Sequence, residues 1–122
     1  MAFAARRRFT GVVQGKTFKL ALAQMLVEGG RREANLRRAL ERINQAAAQG
    51  AQVVVLPEAM TLGWTHPSAR IEADEIPDGH SCAALREAAR RSGVYVCAGL
   101  IERAGDSIFN AAALIDPQGH VI

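Results

Sequence analysis

An α/β fold built around a mixed sheet is predicted by three observations. The run Ala51-Gln-Val-Val-Val-Leu-Pro57-Glu58 is apolar, rich in β-branched residues and stopped by a proline, as a buried strand is. Ahead of it, Leu36, Leu40, Ile43 and Ala47 recur at helical spacing between Arg31 and Gln49. Behind it, two strand-like runs, 94–101 and 108–115, flank the turn Ala104-Gly105-Asp106. Strand-helix-strand order argues for layered α/β structure, and the closing hairpins argue against a purely parallel sheet.

Each element has a local reason. Residues 1–17 read as a loose N-terminal extension, and residues 18–122 as the folded portion. Lys19 to Met25 alternates in part and reads as the first strand. Gly29-Gly30 breaks the chain before the first helix, on which Glu33 and Arg37 stand one turn apart and are expected to pair. Gly50 is placed to end that helix. Val53 to Leu56 is the second strand. From Pro57 to His80, Gly63, Pro67, Pro77 and Gly79 interrupt a segment of little periodicity, and a loop this long in a compact domain is functional or mobile. Ser81 is expected to cap a second helix, Cys82 to Arg91, with Leu85 and Ala88 facing inward. Gly93 ends it. The run Val94 to Ile101 is apolar enough for burial on both faces. Asp116-Pro117-Gln118-Gly119 is a turn, after which His120-Val121-Ile122 opens another strand.

The 122 residues suit one domain, able to remove roughly two thirds of its unfolded surface from water. Net charge is +3 but unevenly spread: residues 1–49 carry ten Lys/Arg against three Asp/Glu. No aromatic residues interleave with that basic excess, so it reads as a solvated helix face plus a basic tail, not a nucleic-acid footprint. Two cysteines, Cys82 and Cys97, form no CxxC pair, and a reduced, cytoplasmic compartment is expected. No apolar run approaches membrane-spanning length. Arg6-Arg7-Arg8-Phe9 loosely resembles a twin-arginine signal, but Gln14, Lys16 and Lys19 interrupt the apolar stretch such a signal needs. The tail is read as unstructured, or as a start assigned too early.

Most motifs with chemical potential fail on context. Gly11 to Thr17 has three residues between its glycines where a phosphate loop needs four, and it opens a strand instead of a helix. His66, His80 and His120 are scattered, with no metal expected. Cys97, mid-strand among apolar neighbours, reads as a small hydrophobe. Cys82, in the first turn of a helix, is placed where a thiol can be acidified. Glu58 differs. The proline before it stiffens the strand exit, and the apolar strand starts the carboxylate from a partly desolvated position suited to general-base work.

Four blocks now stand in order: Leu20-Ala-Leu-Ala-Gln24; Asn35-Leu36 followed by Gly50 to Ala59; Gly93 to Arg103; and Phe109-Asn110 to Gly119. Together they resemble the N-terminal part of a nitrilase-superfamily carbon–nitrogen hydrolase, from about Lys19 onward. The resemblance implies a partial α-β-β-α sandwich and a Glu-Lys-Cys triad. In that triad a cysteine attacks a nitrile, amide or carbamoyl carbon, a glutamate is general base and a lysine stabilises the oxyanion. Glu58 matches the glutamate. The family's lysine follows the Asp-Pro-x-Gly turn and its cysteine lies further on, so neither role transfers to Lys16, Lys19, Cys82 or Cys97. Trp64 and His66 fall where the resemblance places substrate-facing groups, and Asn110 fits a family pattern as a structural hydrogen-bonding residue.

The resulting expectation is a truncated hydrolase for small amides, nitriles or carbamoyl compounds, with no cofactor, no metal, no nucleic-acid partner and no membrane. Homo-oligomers of the full-length form are implied by the resemblance. Supplying one of three catalytic residues, the chain alone is expected to be inactive and marginally stable. Two other readings stand beside it: a non-catalytic α/β interaction or dimerisation module, and a small nucleotide-binding domain using Gly29-Gly30.

Overall fold

A computed structural model describes Gly15 and residues 17–122. The expected extension and the near-miss phosphate loop lie almost wholly outside the described residues. Four strands form one sheet: β1 (Leu20–Leu22), β2 (Val53–Val55), β3 (Tyr95–Ala104) and β4 (Ser107–Ile115). Three helices join them: α1 (Arg32–Ala48), the single-turn α2 (Ala69–Glu72) and α3 (His80–Ser92). The strands lie in the order β1-β2-β3-β4, with β1, β2 and β3 parallel and β4 antiparallel to β3. This is the mixed sheet that the sequence predicts.

Period-two alternation gives the sheet two different faces. Ala21, Val54, Val96, Ala98, Leu100, Ala113 and Ile115 point to one face, where they share a core with Leu36, Ala39 and Ile43 of α1 and Leu85, Ala88 and Ala89 of α3. Ile43, Val54, Leu85 and Ile115 lose all solvent contact, and each such side chain contributes about 1.5–3 kcal/mol through burial. The opposite face bears Leu20, Leu22, Tyr95 and Leu114, all exposed, Leu22 by 71%. One helix layer on one sheet layer is half of a four-layer sandwich. The expectation that the third strand is buried on both faces is therefore corrected: Val96, Ala98 and Leu100 are buried, while Tyr95 is exposed and Cys97 half-buried.

Several local expectations also change. The first strand is shorter than Lys19–Met25, because its partner β2 offers only three residues; pairing persists one step further, from the Ala23 N–H to the Val55 carbonyl at 2.8 Å. Ser81 is not a helix cap. Gly79 takes that position, and the Asp74 carboxylate accepts from the Ser81 N–H at 2.9 Å and its hydroxyl at 3.1 Å. Negative charge at a helix N-terminus is favourable there. Glu33 meets Arg32 and His80, at 3.5 and 3.1 Å, instead of Arg37. Gly50 ends α1 as expected, at φ +81° with its N–H bonded to Ala47 O. The closing strand reduces to one bridge, Ile115 to Val121.

Asn35 is the buried polar hub of the fold, with no solvent exposure. Its Nδ2 donates to the carbonyls of Glu28 (2.7 Å) and Thr61 (2.9 Å), while its Oδ1 accepts from the Glu28 N–H and from Arg38. Arg38 also pairs with the Glu28 carboxylate. The β1–α1 connection and the loop after β2 are thereby tied to one amide. Asn35→Ala leaves the Thr61 and Glu28 carbonyls without this donor, and is expected to cost about 2–4 kcal/mol in urea unfolding; a loss below 1 kcal/mol would contradict the hub.

At the last turn, the Asp116 carboxylate accepts from the backbone N–H groups of His120 (2.8 Å) and Gln118 (2.9 Å). The His120 amide, above all, holds this carboxyl below its ordinary value of 3.8. A carboxyl lowered by folding stabilises above its unfolded value and loses that contribution as pH falls through the folded one. The Asp116 side-chain carbon resonance is therefore expected to titrate with a midpoint under 3.8, the turn loosening below it.

Candidate active site

The three parallel strands point their C-terminal ends one way, and ligands bind at such ends in open α/β sheets. Glu58 lies at that end. The chain stays paired with β3 after β2 stops: Leu56 N–H donates to Cys97 O at 2.8 Å, Gly99 N–H to Pro57 O at 3.2 Å, and Met60 N–H to Gly99 O at 2.9 Å. Glu58 is held within this seam. A Cβ on Gly99 would sit 2.5 Å from Glu58 Cα, 2.7 Å from Pro57 O and 2.9 Å from Ala59 N. All three are backbone atoms, so no rotamer change relieves the overlap. Immediately beyond, Ala59 adopts φ +45°, a left-handed conformation that costs a residue with a Cβ about 1 kcal/mol or more. The buried run Ala59–Leu62 holds it there.

The Glu58 side chain emerges on the bare sheet face and is exposed. The partly desolvated carboxylate expected from the sequence is thus not found, because no layer covers this face among the described residues. Glu58 lines a shallow cavity of about 290 Å³ with Leu56, Cys97, Gly99, Asn110 and Ala112. Asn110 of β4 donates from Nδ2 to Glu58 Oε1 at 2.6 Å. Cys97, read from sequence as a core hydrophobe, lines this cavity too.

Trp64 and His66 lie next door. They line a separate cavity of about 700 Å³ with Arg70, Ile101, Phe109 and Asn110. Asn110 lines both spaces; Glu58 lines only the smaller. Trp64 is 59% exposed. The imidazole of His66 packs on Gly29 and Gly30, where an added Cβ would fall 2.6–2.7 Å from its ring atoms, and its Nδ1 meets Ser68 Oγ at 2.9 Å. That packing fills the space over Gly29-Gly30, and the Gly30 N–H is bonded to Leu62 O, so this turn offers no phosphate cradle. Arg103 pins the same loop, donating to the carbonyls of Ala73 at 3.2 Å and Arg70 at 2.8 Å.

The remaining candidates stand apart. Lys19 is at the opposite end of the parallel strands, its Nζ donating to Gln49 O at 2.6 Å. Cys82 is fully buried in the helix layer. Burial pushes its thiol up to about 11, with Arg86 opposing, so the acidified thiol expected at a helix start is not found. Among the described residues no cluster of His, Cys, Asp and Glu could hold a metal ion, and no helix is long and apolar enough to cross a membrane. Gly99 escaped sequence reasoning, although a lone glycine inside a strand pattern is a known signal of close backbone approach.

A mixed α/β sheet presenting a carboxylate at its parallel-strand exit defines an α/β protein with a ligand-site geometry at the sheet edge. Comparison with known proteins narrows it. The carbon–nitrogen hydrolase family model matches residues 19–122, and the chain belongs to that family. It is 36% identical over 106 residues to a nitrilase of Pyrococcus abyssi, covering 84% of this chain and 40% of that protein. It is likewise 36% identical over 107 residues to omega-amidase NIT2 of Bos taurus, covering 87% and 38%. The chain thus spans about two fifths of the length of the curated relatives it matches. Among solved structures, XC1258 from Xanthomonas campestris, a CN-hydrolase superfamily protein, superposes with a TM-score of 0.77 at 24% identity over 86% of this chain and 38% of its own. An amidase from Nesterenkonia sp. gives 0.75 at 23% over 92% and 43%. At those identities the likeness speaks for the fold.

The two thiols differ in access. With iodoacetamide at pH 8, Cys97 is expected to be alkylated in the native chain and Cys82 only after unfolding; mass spectrometry of the two peptides reads this directly. Equal labelling of the two native thiols would refute the burial argument.

Proposed function

We propose that residues 18–122 are the N-terminal portion of a hydrolase of non-peptide C–N bonds, and that Glu58 is its general base. The observation that carries this reading is the fixing of the Glu58 backbone by Gly99 at the exit of β2, with its carboxylate opening on a cavity. Family membership supports the reaction class. The substrates proposed are small amides, nitriles or carbamoyl compounds; a mutant of an amidase from Nesterenkonia sp. of the same fold is described in complex with butyramide.

In the proposed chemistry, Glu58 takes the thiol proton as the sulfur attacks the amide carbon. A lysine ammonium meets the oxyanion where charge develops. The C–N bond then breaks as Glu58 returns the proton to the leaving amine. Water, deprotonated by Glu58, attacks the thioester carbon; the C–S bond breaks, the acid is released and Glu58 returns the proton to the cysteine sulfur. No metal or organic cofactor enters this scheme. The lysine and cysteine are proposed to come from chain beyond these residues, since Lys19 and Cys82 lie elsewhere and Cys97 has no cation beside it among the described residues. Homo-oligomers of the full-length enzyme and a reduced, cytoplasmic compartment belong to the same proposal.

A second reading, a non-catalytic interaction module derived from the family, draws on the exposed Leu20, Leu22, Tyr95 and Leu114. It gains if a chain extended through the family's lysine and cysteine has no turnover.

The purified 122-residue chain is expected to release no ammonia from small amides above background, because members of a catalytic unit act together. Extended through the lysine and cysteine, it should turn over, and Glu58→Gln should lower kcat by about 10²–10⁴-fold. Ammonia release by the 122-residue chain, abolished by both Glu58→Gln and Cys97→Ala, would overturn the division of labour.

A further inference from the structure

We propose that Asn110 is a positioning residue for the Glu58 carboxylate, fixing which of its oxygens faces the incoming proton. This rests on the reading of Glu58 as the base. The bond runs from Asn110 Nδ2 to Glu58 Oε1 at 2.6 Å, between residues 52 apart in sequence. Both side chains are exposed. Water would satisfy either one, so burial of polar groups does not demand the contact. A specific bond between two wettable side chains holds an orientation.

The fold supplies that geometry from two strands. Gly99 of β3 sets the Glu58 backbone by leaving no room between them. Asn110 of β4, in register with Ile101 of β3, reaches the carboxylate from the neighbouring strand. With its backbone and one oxygen fixed, the carboxylate loses most of its rotational freedom. Its other oxygen, Oε2, takes no hydrogen bond among the described residues, and Glu58 lines the cavity shared with Cys97 and Ala112. A general base needs one aimed lone pair, within hydrogen-bond reach of the proton it removes. Asn110 also lines the neighbouring cavity of Trp64 and His66.

The bond can be tested without turnover. In the 122-residue chain, the Asn110 side-chain amide protons are expected to shift with pH at the same midpoint as the Glu58 carboxyl carbon. That response should vanish in Glu58→Gln. In Asn110→Asp, two facing carboxylates should release their protons in two coupled steps. Amide protons that ignore Glu58 ionisation, or independent single-step titrations in Asn110→Asp, would overturn the contact. In the extended, active chain, Asn110→Ala should lower kcat by about 10²-fold, the scale of a misplaced catalytic group. KM and the melting temperature should stay near wild type. A kcat unchanged by Asn110→Ala would overturn the positioning role even if the bond exists. The two readings fail differently: if Glu58 is not the base, Glu58→Gln retains turnover while the Asn110 amide still follows its ionisation.

Discussion

The backbone contact between Gly99 and the Pro57-Glu58-Ala59 segment is the constraint on which the rest of the site depends. It exists because β3 carries no side chain where the chain leaving β2 folds across it. Two hydrogen bonds of Gly99, one through its N–H and one through its carbonyl, lock the crossing. The left-handed turn at Ala59 follows from that lock, because the chain must reverse within one residue to bury Met60 and Leu62. Strain stored there is offset by four consecutive buried residues, and it keeps the preceding carboxylate at one place on the sheet edge. Binding residues are commonly held this way, on irregular chain anchored to a rigid element.

How much of this was legible in the sequence depended on the range of the interaction. The strands, α1, α3 and the mixed sheet follow from periodicity and turn residues, and these are local. The placement of Glu58 at the exit of β2 was legible because a proline-stopped apolar strand has few meanings. What failed was long-range. The carboxylate that accepts from the first turn of α3 comes from Asp74, seven residues before Ser81, across a loop whose path no local pattern specifies. The first strand was overextended because a ladder ends where its partner ends, and β2 offers only Val53–Val55. The pairing of Asn110 with Glu58 joins elements whose sequence order says nothing of their contact. The placement of Glu58 in a desolvated pocket overreached, since burial of an end-of-strand side chain depends on what lies over the sheet.

The sheet divides the molecule energetically as well as spatially. Its helix-covered face holds the main core, and the stabilisation from apolar burial is concentrated there. Its other face offers Leu22, Tyr95 and Leu114 to solvent beside the cavity containing Glu58, so the candidate chemistry sits on the less stabilised side. A carboxylate there is surrounded by water. Covering that face would add apolar burial and lower the dielectric around Glu58 in the same step, coupling completion of the fold to completion of the site.

Asn35 has a mechanical meaning. Covalently, Asn35 and Thr61 are separated by 26 residues. Through one carboxamide they are adjacent, and Glu28 is joined to the same group on two sides. A tensile load entering at β1 therefore has a short route into the segment that follows Glu58, through the first turn of α1 and bypassing the rest of that helix and β2.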